Sequence, residues 1–286
     1  MDPASLSNAN ALLRAQGLRP RKRWGQNFLC DRNVLERIAR AAALQPGDHT
    51  LEIGAGLGAL TRFLADFSLS VTAIEIDTLL EPILRETLDD KPNVRLIYED
   101  FLKLDLEKLL DEAFGEKPGV VVANIPYYIT TPILERLLEQ KTRIKRIVLL
   151  VQQEFADRMV AKADTETYGS MSLFVQYHTK VELIGKVSRT VFLPQPDVAS
   201  AIVALTPVSP GTISVPDEDL FFRLVHAAFG KRRKTLLNAL STGNAGLDRE
   251  AVERLLQKAG IDPGRRGETL SLEEFAHLAT IAAGGV

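Results

Sequence analysis

A single cysteine, Cys30, excludes an intrachain disulfide and any site built from several cysteines. Nothing in the chain therefore asks for an oxidising compartment. The four histidines, His49, His178, His226 and His277, lack the short spacing of metal-ligand pairs, so no metal is expected. No apolar run approaches the roughly 18 residues needed to cross a bilayer, and no membrane partner is expected. The N-terminal stretch "MDPASLSNANALLRAQGLRP" has no apolar core followed by a cleavage pattern, which makes the cytoplasm the expected location. An excess of one charge is missing too. Lys and Arg number 35 against 37 Asp and Glu, a formal net charge of −2 that by itself points to no nucleic-acid partner. What remains is a chain of 286 residues, 45% hydrophobic and 25% charged, long enough for one full domain and a smaller companion.

From residue 50 to about 205, short apolar strands alternate with amphipathic stretches. Strands are expected at 50–54, 71–76, 94–98, 120–124 and 147–151, with helices such as 58–65 and 79–88 between them. That alternation argues for an α/β fold with a parallel, doubly wound sheet. Two later strands, at 173–178 and 200–205, are separated by turn-rich sequence and are expected to close one edge as an antiparallel pair. "TPVSPGTISVPDED" places three prolines in 14 residues and reads as a linker. The expected boundaries are an α/β domain over 1–207 (residues 1–45 a basic helical extension), a linker over 208–217 and a small all-α domain over 218–286.

"TLEIGAGLGALT" is a strand that runs into glycines and then a helix. Gly54, Gly56 and Gly58 allow backbone to approach a ligand closely because no Cβ intervenes. Gly54-x-Gly56-x-x-Ala59 also satisfies the dinucleotide fingerprint, with Glu75 about 20 residues on as the ribose acid. The later strands weigh toward S-adenosylmethionine. Glu75 ends the second strand, Asp100 follows the third and Asn124 the fourth, so each carboxyl end presents a polar side chain to one cleft. A carboxylate suits two ribose hydroxyls and an acceptor suits the adenine amine, and this cofactor has no pyrophosphate to seat on the helix N-terminus.

The fourth strand ends in "NIPYYITTP". Asn124, Ile125, Pro126 and Tyr127 supply an amide, a rigid turn and an aromatic ring at the ligand-binding end of the sheet. Together with "RWGQNFLCD", "LEIGAGLGALT", "EID", "YED", "TVFLPQPDVASAIVAL" and "FGKRRKTLLNAL", this turn resembles the bacterial small-subunit ribosomal RNA adenine dimethyltransferases, the KsgA/RsmA family. Seven motifs in register span about residues 18–278. The resemblance implies a class I (Rossmann-like) S-adenosylmethionine-dependent methyltransferase that dimethylates two adjacent adenosines in the terminal hairpin of the small-subunit rRNA. It also implies cofactor contacts at Asn27, Leu29, Gly54, Glu75, Asp100 and Asn124, to which the glycine-rich reading adds Gly56. Asn124 with the Ile125 or Pro126 carbonyl is expected to accept the target amine's N–H groups. Tyr127 is expected to offer a face to the base and Phe192 the other, the plain alternative for both being a core aromatic. Cys30, directly after "GQNFL", is expected to leave the pocket open to alkylation. A monomer acting on a pre-small-subunit particle is the expected state.

Charge clusters locally. Between Arg14 and Arg40 lie eight Lys or Arg and two acids, and from Leu220 to Leu247 five Lys or Arg and no acid. Phosphate contacts are expected at Arg21, Lys22 and Arg23 and at Lys231, Arg232, Arg233 and Lys234, against the plain reading of a solvated face. Two other functions fit parts of the pattern. A large-subunit rRNA adenine methyltransferase of the macrolide-resistance type shares the "QNF" and "NIPY" turns, and a non-catalytic RNA-binding assembly factor shares the fold. A nicotinamide oxidoreductase has no use for the Asn-Ile-Pro-Tyr turn.

Overall fold

The computed structural model describes residues 1–209, 211–231 and 233–285, with Lys22 described in its backbone only. Helices α1 (Leu6–Ala15) and α2 (Arg32–Ala42) precede the sheet. Asp31 caps α2 by accepting the Val34 N–H at 3.0 Å, a cap of the kind that contributes about 1 kcal/mol. The strands are β1 (His49–Ile53), β2 (Ser70–Glu75), β3 (Val94–Tyr98), β4 (Gly119–Asn124), β5 (Ile144–Gln152), β6 (Thr179–Val187) and β7 (Ser200–Pro207). Their spatial order is β3-β2-β1-β4-β5-β7-β6. Strands β1 to β5 pair in parallel, and β7 runs antiparallel to β5. Between the parallel strands lie α3 (Ala59–Phe67), α4 (Glu81–Thr87), α5 (Leu106–Phe114) and α6 (Thr130–Glu139).

Covering by helices explains the unbroken apolar runs: Val120, Val121 and Val122 of β4 are all fully buried. From β1 the chain steps outward to β2 and β3, then returns to place β4 on the other side. The strand order thus reverses between β1 and β4, and the crevice beyond their carboxyl ends is where such sheets bind ligands. A two-residue ladder, Phe28–Leu29 against Phe192–Leu193, fastens the segment before α2 across this region.

Two expectations are corrected. Residues 173–178 are not a strand; they belong to α8 (Ser170–His178), and the edge strand is β6, which follows it. Its β-branched and aromatic residues suggest a strand, but tertiary packing overrides that preference. Leu173 and Tyr177, four apart on one helical face, are buried together, and the Tyr177 ring stacks on Phe221 at 4.9 Å. The expected boundary is corrected as well. The chain forms two compact units, Met1–Ala156 with Glu182–Pro207, and Asp157–Val181 with Val208–Val286. Residues 157–181 thus belong to the helical unit, and residues 208–217, read as a linker, group with it. Helix α7 (Gln153–Met159) spans the first boundary. The helical unit holds α8, α9 (Glu218–Phe229), α10 (Leu236–Thr242), α11 (Arg249–Lys258) and α12 (Leu272–Ala283) around a core that includes Leu173, Phe221, Leu255 and Phe275. At α12 the capping box is present: Ser271 Oγ accepts the Glu274 N–H and Glu274 accepts the Ser271 N–H at 2.8 Å.

Candidate active site

The crevice at the carboxyl ends of β1, β2 and β4 is a cleft of about 850 Å³ with its open mouth included, at the place where open α/β sheets bind ligands. Asn27, Gly54, Gly56, Glu75, Asp100 and Asn124 all line it. Leu29, the remaining expected cofactor contact, is buried and lines an adjoining cavity with Gly54, Gly56 and Asn124. Gly56 sits at φ +57°, and a Cβ there would meet the Phe28 ring at 3.1 Å. Glycine suits that point because a side chain rarely adopts the left-handed backbone angle and would crowd the Phe28 ring.

Glu75 is only 5% exposed, and its two oxygens are held by backbone: Oε2 accepts the Gly56 N–H and Oε1 the Asp77 N–H, each at 2.8 Å. Burial nonetheless raises its pKa, the two N–H groups opposing the rise. A carboxylate offers about four acceptor sites, so two remain for a pair of hydroxyls. Asp100 is half-buried, and its Oδ1 accepts the Leu102 N–H at 3.0 Å, which tightens the loop after β3. Arg136 of α6 supports that loop by donating to the Phe101 and Leu104 carbonyls at 2.7 and 2.5 Å. A buried, pre-oriented carboxylate, a second acid and close-approach glycines fit a nucleoside cofactor without pyrophosphate.

Asn124 ends β4. Its Nδ2 donates to the Asn27 carbonyl at 3.1 Å. Because that carbonyl can only accept, the amide must turn its N–H toward Asn27, which leaves Oδ1 as the acceptor for anything entering the cleft. The Pro126 carbonyl accepts the Ile129 N–H at 3.1 Å, which uses one of its two lone pairs and makes the Ile125 carbonyl the less engaged candidate for a second donor. Tyr127 is half-buried, and its hydroxyl hydrogen-bonds Ser200 Oγ at 2.9 Å, fixing the ring; burial raises its pKa.

Phe192 is corrected. It is 3% exposed, pairs with Leu29 in the two-residue ladder and packs into the core of the sheet unit, so it offers no face to the cleft. Tyr128, outside the expected site residues, lines the cleft and is 61% exposed. Its only signal was the doubled tyrosine of "NIPYYITTP". Cys30 is corrected too. Buried, with its thiol donating to the Phe28 carbonyl at 3.3 Å, it has a pKa pushed up to about 12 and is a poor target for alkylation.

The basic residues divide. Arg21 forms an ion pair with the buried Asp77 at 3.2 Å, whereas Arg23 is exposed, with its guanidinium over the Trp24 ring. The side chain of Lys22 and all of Arg232 lie outside the described residues. Lys231, Arg233 and Lys234 are exposed in the turn between α9 and α10.

A family model described as "Ribosomal RNA adenine dimethylase" matches residues 17–283. The chain belongs to the ribosomal RNA adenine dimethylase family. A curated relative from Moorella thermoacetica, "Ribosomal RNA small subunit methyltransferase A", is 50% identical over 273 residues, covering 94% of each chain. The crystal structure of a dimethyladenosine transferase from Plasmodium falciparum is similar at 25% identity and a TM-score of 0.76, over 88% of this chain and 95% of that one. The crystal structure of the 23S rRNA methyltransferase ErmE is similar at 31% identity and a TM-score of 0.69, over 89% and 99%. This member of the dimethylase family is therefore a Rossmann-like methyltransferase with a C-terminal all-α region, and its cofactor is S-adenosylmethionine.

Proposed function

We propose that the chain dimethylates two adjacent adenosines in the 3′-terminal hairpin of small-subunit rRNA, with Asn124 as the acceptor that activates each amine. The observation that carries the reading is the commitment of the Asn124 N–H to the Asn27 carbonyl, which leaves the amide oxygen of a cleft-lining residue to accept. The exocyclic amine of adenine is a weak nucleophile because its lone pair is delocalised into the ring. When Asn124 Oδ1 and the Ile125 carbonyl accept its two N–H bonds, the nitrogen moves toward tetrahedral geometry and the lone pair becomes available. S-adenosylmethionine supplies the electrophilic methyl group on its sulfonium. Positive charge grows on the attacking nitrogen as the new N–C bond forms and the C–S bond breaks, and two fixed carbonyl dipoles stabilise it without reorganising. A strong general base is not needed, since a cationic amine loses its proton readily. Tyr127, anchored through Ser200, supports one face of the base. After the first methyl one N–H remains, and Asn124 can still accept it.

Small-subunit specificity is supported by the name of the Moorella relative, which is more similar to this chain than ErmE is. The reading extends to a monomer in the cytoplasm, acting on a pre-small-subunit particle through exposed cations such as Arg23 and Lys234. Labelled methyl transfer to small subunits lacking the modification, followed by nucleoside analysis, is expected to give dimethyladenosine. Label appearing only in large subunits would reject the substrate. For the residue role, Asn124→Ala is expected to slow single-turnover transfer about 10²–10³-fold, as for loss of one pre-organised partner, with RNA affinity little changed. A wild-type single-turnover rate would remove Asn124 from the mechanism.

A further inference from the structure

Residues 21–28 form a strap along the cofactor cleft, five of whose consecutive residues, Trp24 to Phe28, line it. The strap is held at three points. At the first, Gln26 Nε2 donates to Asp77 Oδ2 at 2.9 Å while its Oε1 accepts the Arg21 N–H at 2.8 Å, so both ends of one amide are engaged. Asp77 is 4% exposed; its Oδ1 also takes the Arg21 guanidinium and the Leu79 N–H, each at 3.2 Å. At the second, Gly25 at φ +59° crosses the Asn-Ile-Pro-Tyr turn so closely that a Cβ would lie 3.1 Å from Pro126 and 3.2 Å from Tyr128. At the third, the Asn27 carbonyl takes the Asn124 N–H.

We propose that Gln26 and Asp77 are positioning residues for methyl transfer: their bond fixes the strap, and the strap fixes the Asn124 amide. The inference rests on the reading of Asn124 as the acceptor of the target amine. Gln26 and Asn27 are neighbours in the chain, so a locked Gln26 side chain restricts where the Asn27 carbonyl can sit. With that carbonyl in place, Asn124 has one favourable orientation, oxygen toward the amine. Once the carbonyl swings away, rotation about the last side-chain bond of Asn124 is free. Half of the resulting orientations set an N–H donor against the amine's own N–H donors. The same residue that pins the strap also ties it to the ribose carboxylate, since the Asp77 N–H donates to Glu75. Strap, cofactor acid and amide acceptor are thereby linked by hydrogen bonds at Asp77 and Asn27, joined through the backbone between Gln26 and Asn27.

The test exchanges the two ends of the bond. Gln26→Glu alone sets two carboxylates together and is expected to slow single-turnover transfer roughly 10–100-fold at saturating cofactor and RNA, the scale of a slightly misplaced reacting group. Gln26→Ala, which adds no charge, is expected to act in the same direction with an unchanged circular dichroism spectrum. Combining Gln26→Glu with Asp77→Asn restores a bond of reversed polarity and is expected to recover most of the rate. Asn124→Ala is measured in parallel. If it is slow while both Gln26 variants run at the wild-type rate, the positioning role is wrong and the acceptor role stands. If Asn124→Ala itself runs at the wild-type rate, the acceptor reading fails and the positioning role falls with it. Slow single variants with no recovery in the double variant also reject the Gln26–Asp77 bond as the cause.

Discussion

Glu52, in the middle of β1, has no exposed surface, and no hydrogen bond of normal length reaches either carboxyl oxygen. Burial pushes its pKa up to about 8 from an ordinary 4.5, with Thr61 opposing the rise and the charge of Glu75 adding to it. The folded chain therefore holds a proton on Glu52 between those values while the unfolded chain releases it. Stability contributed by this proton is complete below pH 4.5 and is lost as the pH climbs through about 8. Glu52→Gln is expected to flatten that loss by up to about 1.4 kcal/mol per pH unit, the maximum for one proton. Urea titrations of the cofactor-free protein from pH 5 to 8 measure it, and parallel slopes for the two proteins would contradict it. The positions of Glu75, Asp100 and Asn124 were legible in the sequence because a strand end fixes where its next side chain sits. The Asn124–Asn27 bond was not, since the two residues are 97 apart and only the folded chain brings them together. Phe192 was misjudged for a related reason: a loop aromatic gives no sign of which side it will face.

Among the elements, the parallel strands were the easiest to read, because runs such as Val120–Ala123 have the length of a strand and lack the helical period. Helix α8 was the hardest. Its capping by Ser172, which accepts the Gly169 N–H at 3.1 Å, and its aromatic partners in α9 carry no local signature strong enough to outweigh strand-like composition. Helix α6 follows the Asn-Ile-Pro-Tyr turn and also reaches the Asp100 loop through Arg136, which connects two walls of the cleft. Arg136→Met keeps much of the apolar stem but leaves two carbonyls unpaired. Cofactor affinity is expected to weaken by roughly 1.5–3 kcal/mol, the range for hydrogen bonds to a charged group. Calorimetric titration with S-adenosylmethionine would detect this, and unaltered affinity in a folded variant would show that the loop holds itself.

For the whole molecule, the division into two units does not follow chain order. Residues 157–181 leave the sheet unit, join the helical unit, and are followed by the rest of β6 and by β7. The proline-rich segment marked one passage between units; the other two lie inside α7 and β6, where composition does not change. A chain ended at residue 207 should therefore aggregate, because Leu173 and Tyr177 lose the core they are buried in. A version that also replaces 157–181 with a Gly-Ser linker should stay soluble and bind cofactor. Size-exclusion chromatography of the two would separate these outcomes, and equal behaviour would mean that α8 does not need its partners.

The same interruption bears on how the protein is made. Translation releases residues 157–181 before the helices that complete their core, the last of which ends at Ala283, about 100 residues later. At roughly 5–20 residues per second, the apolar side of α8 waits about 5–20 seconds without its final neighbours. The sheet can close in that interval, once residue 207 has emerged. The helix cannot, and its apolar side is then a surface that a chaperone can cover.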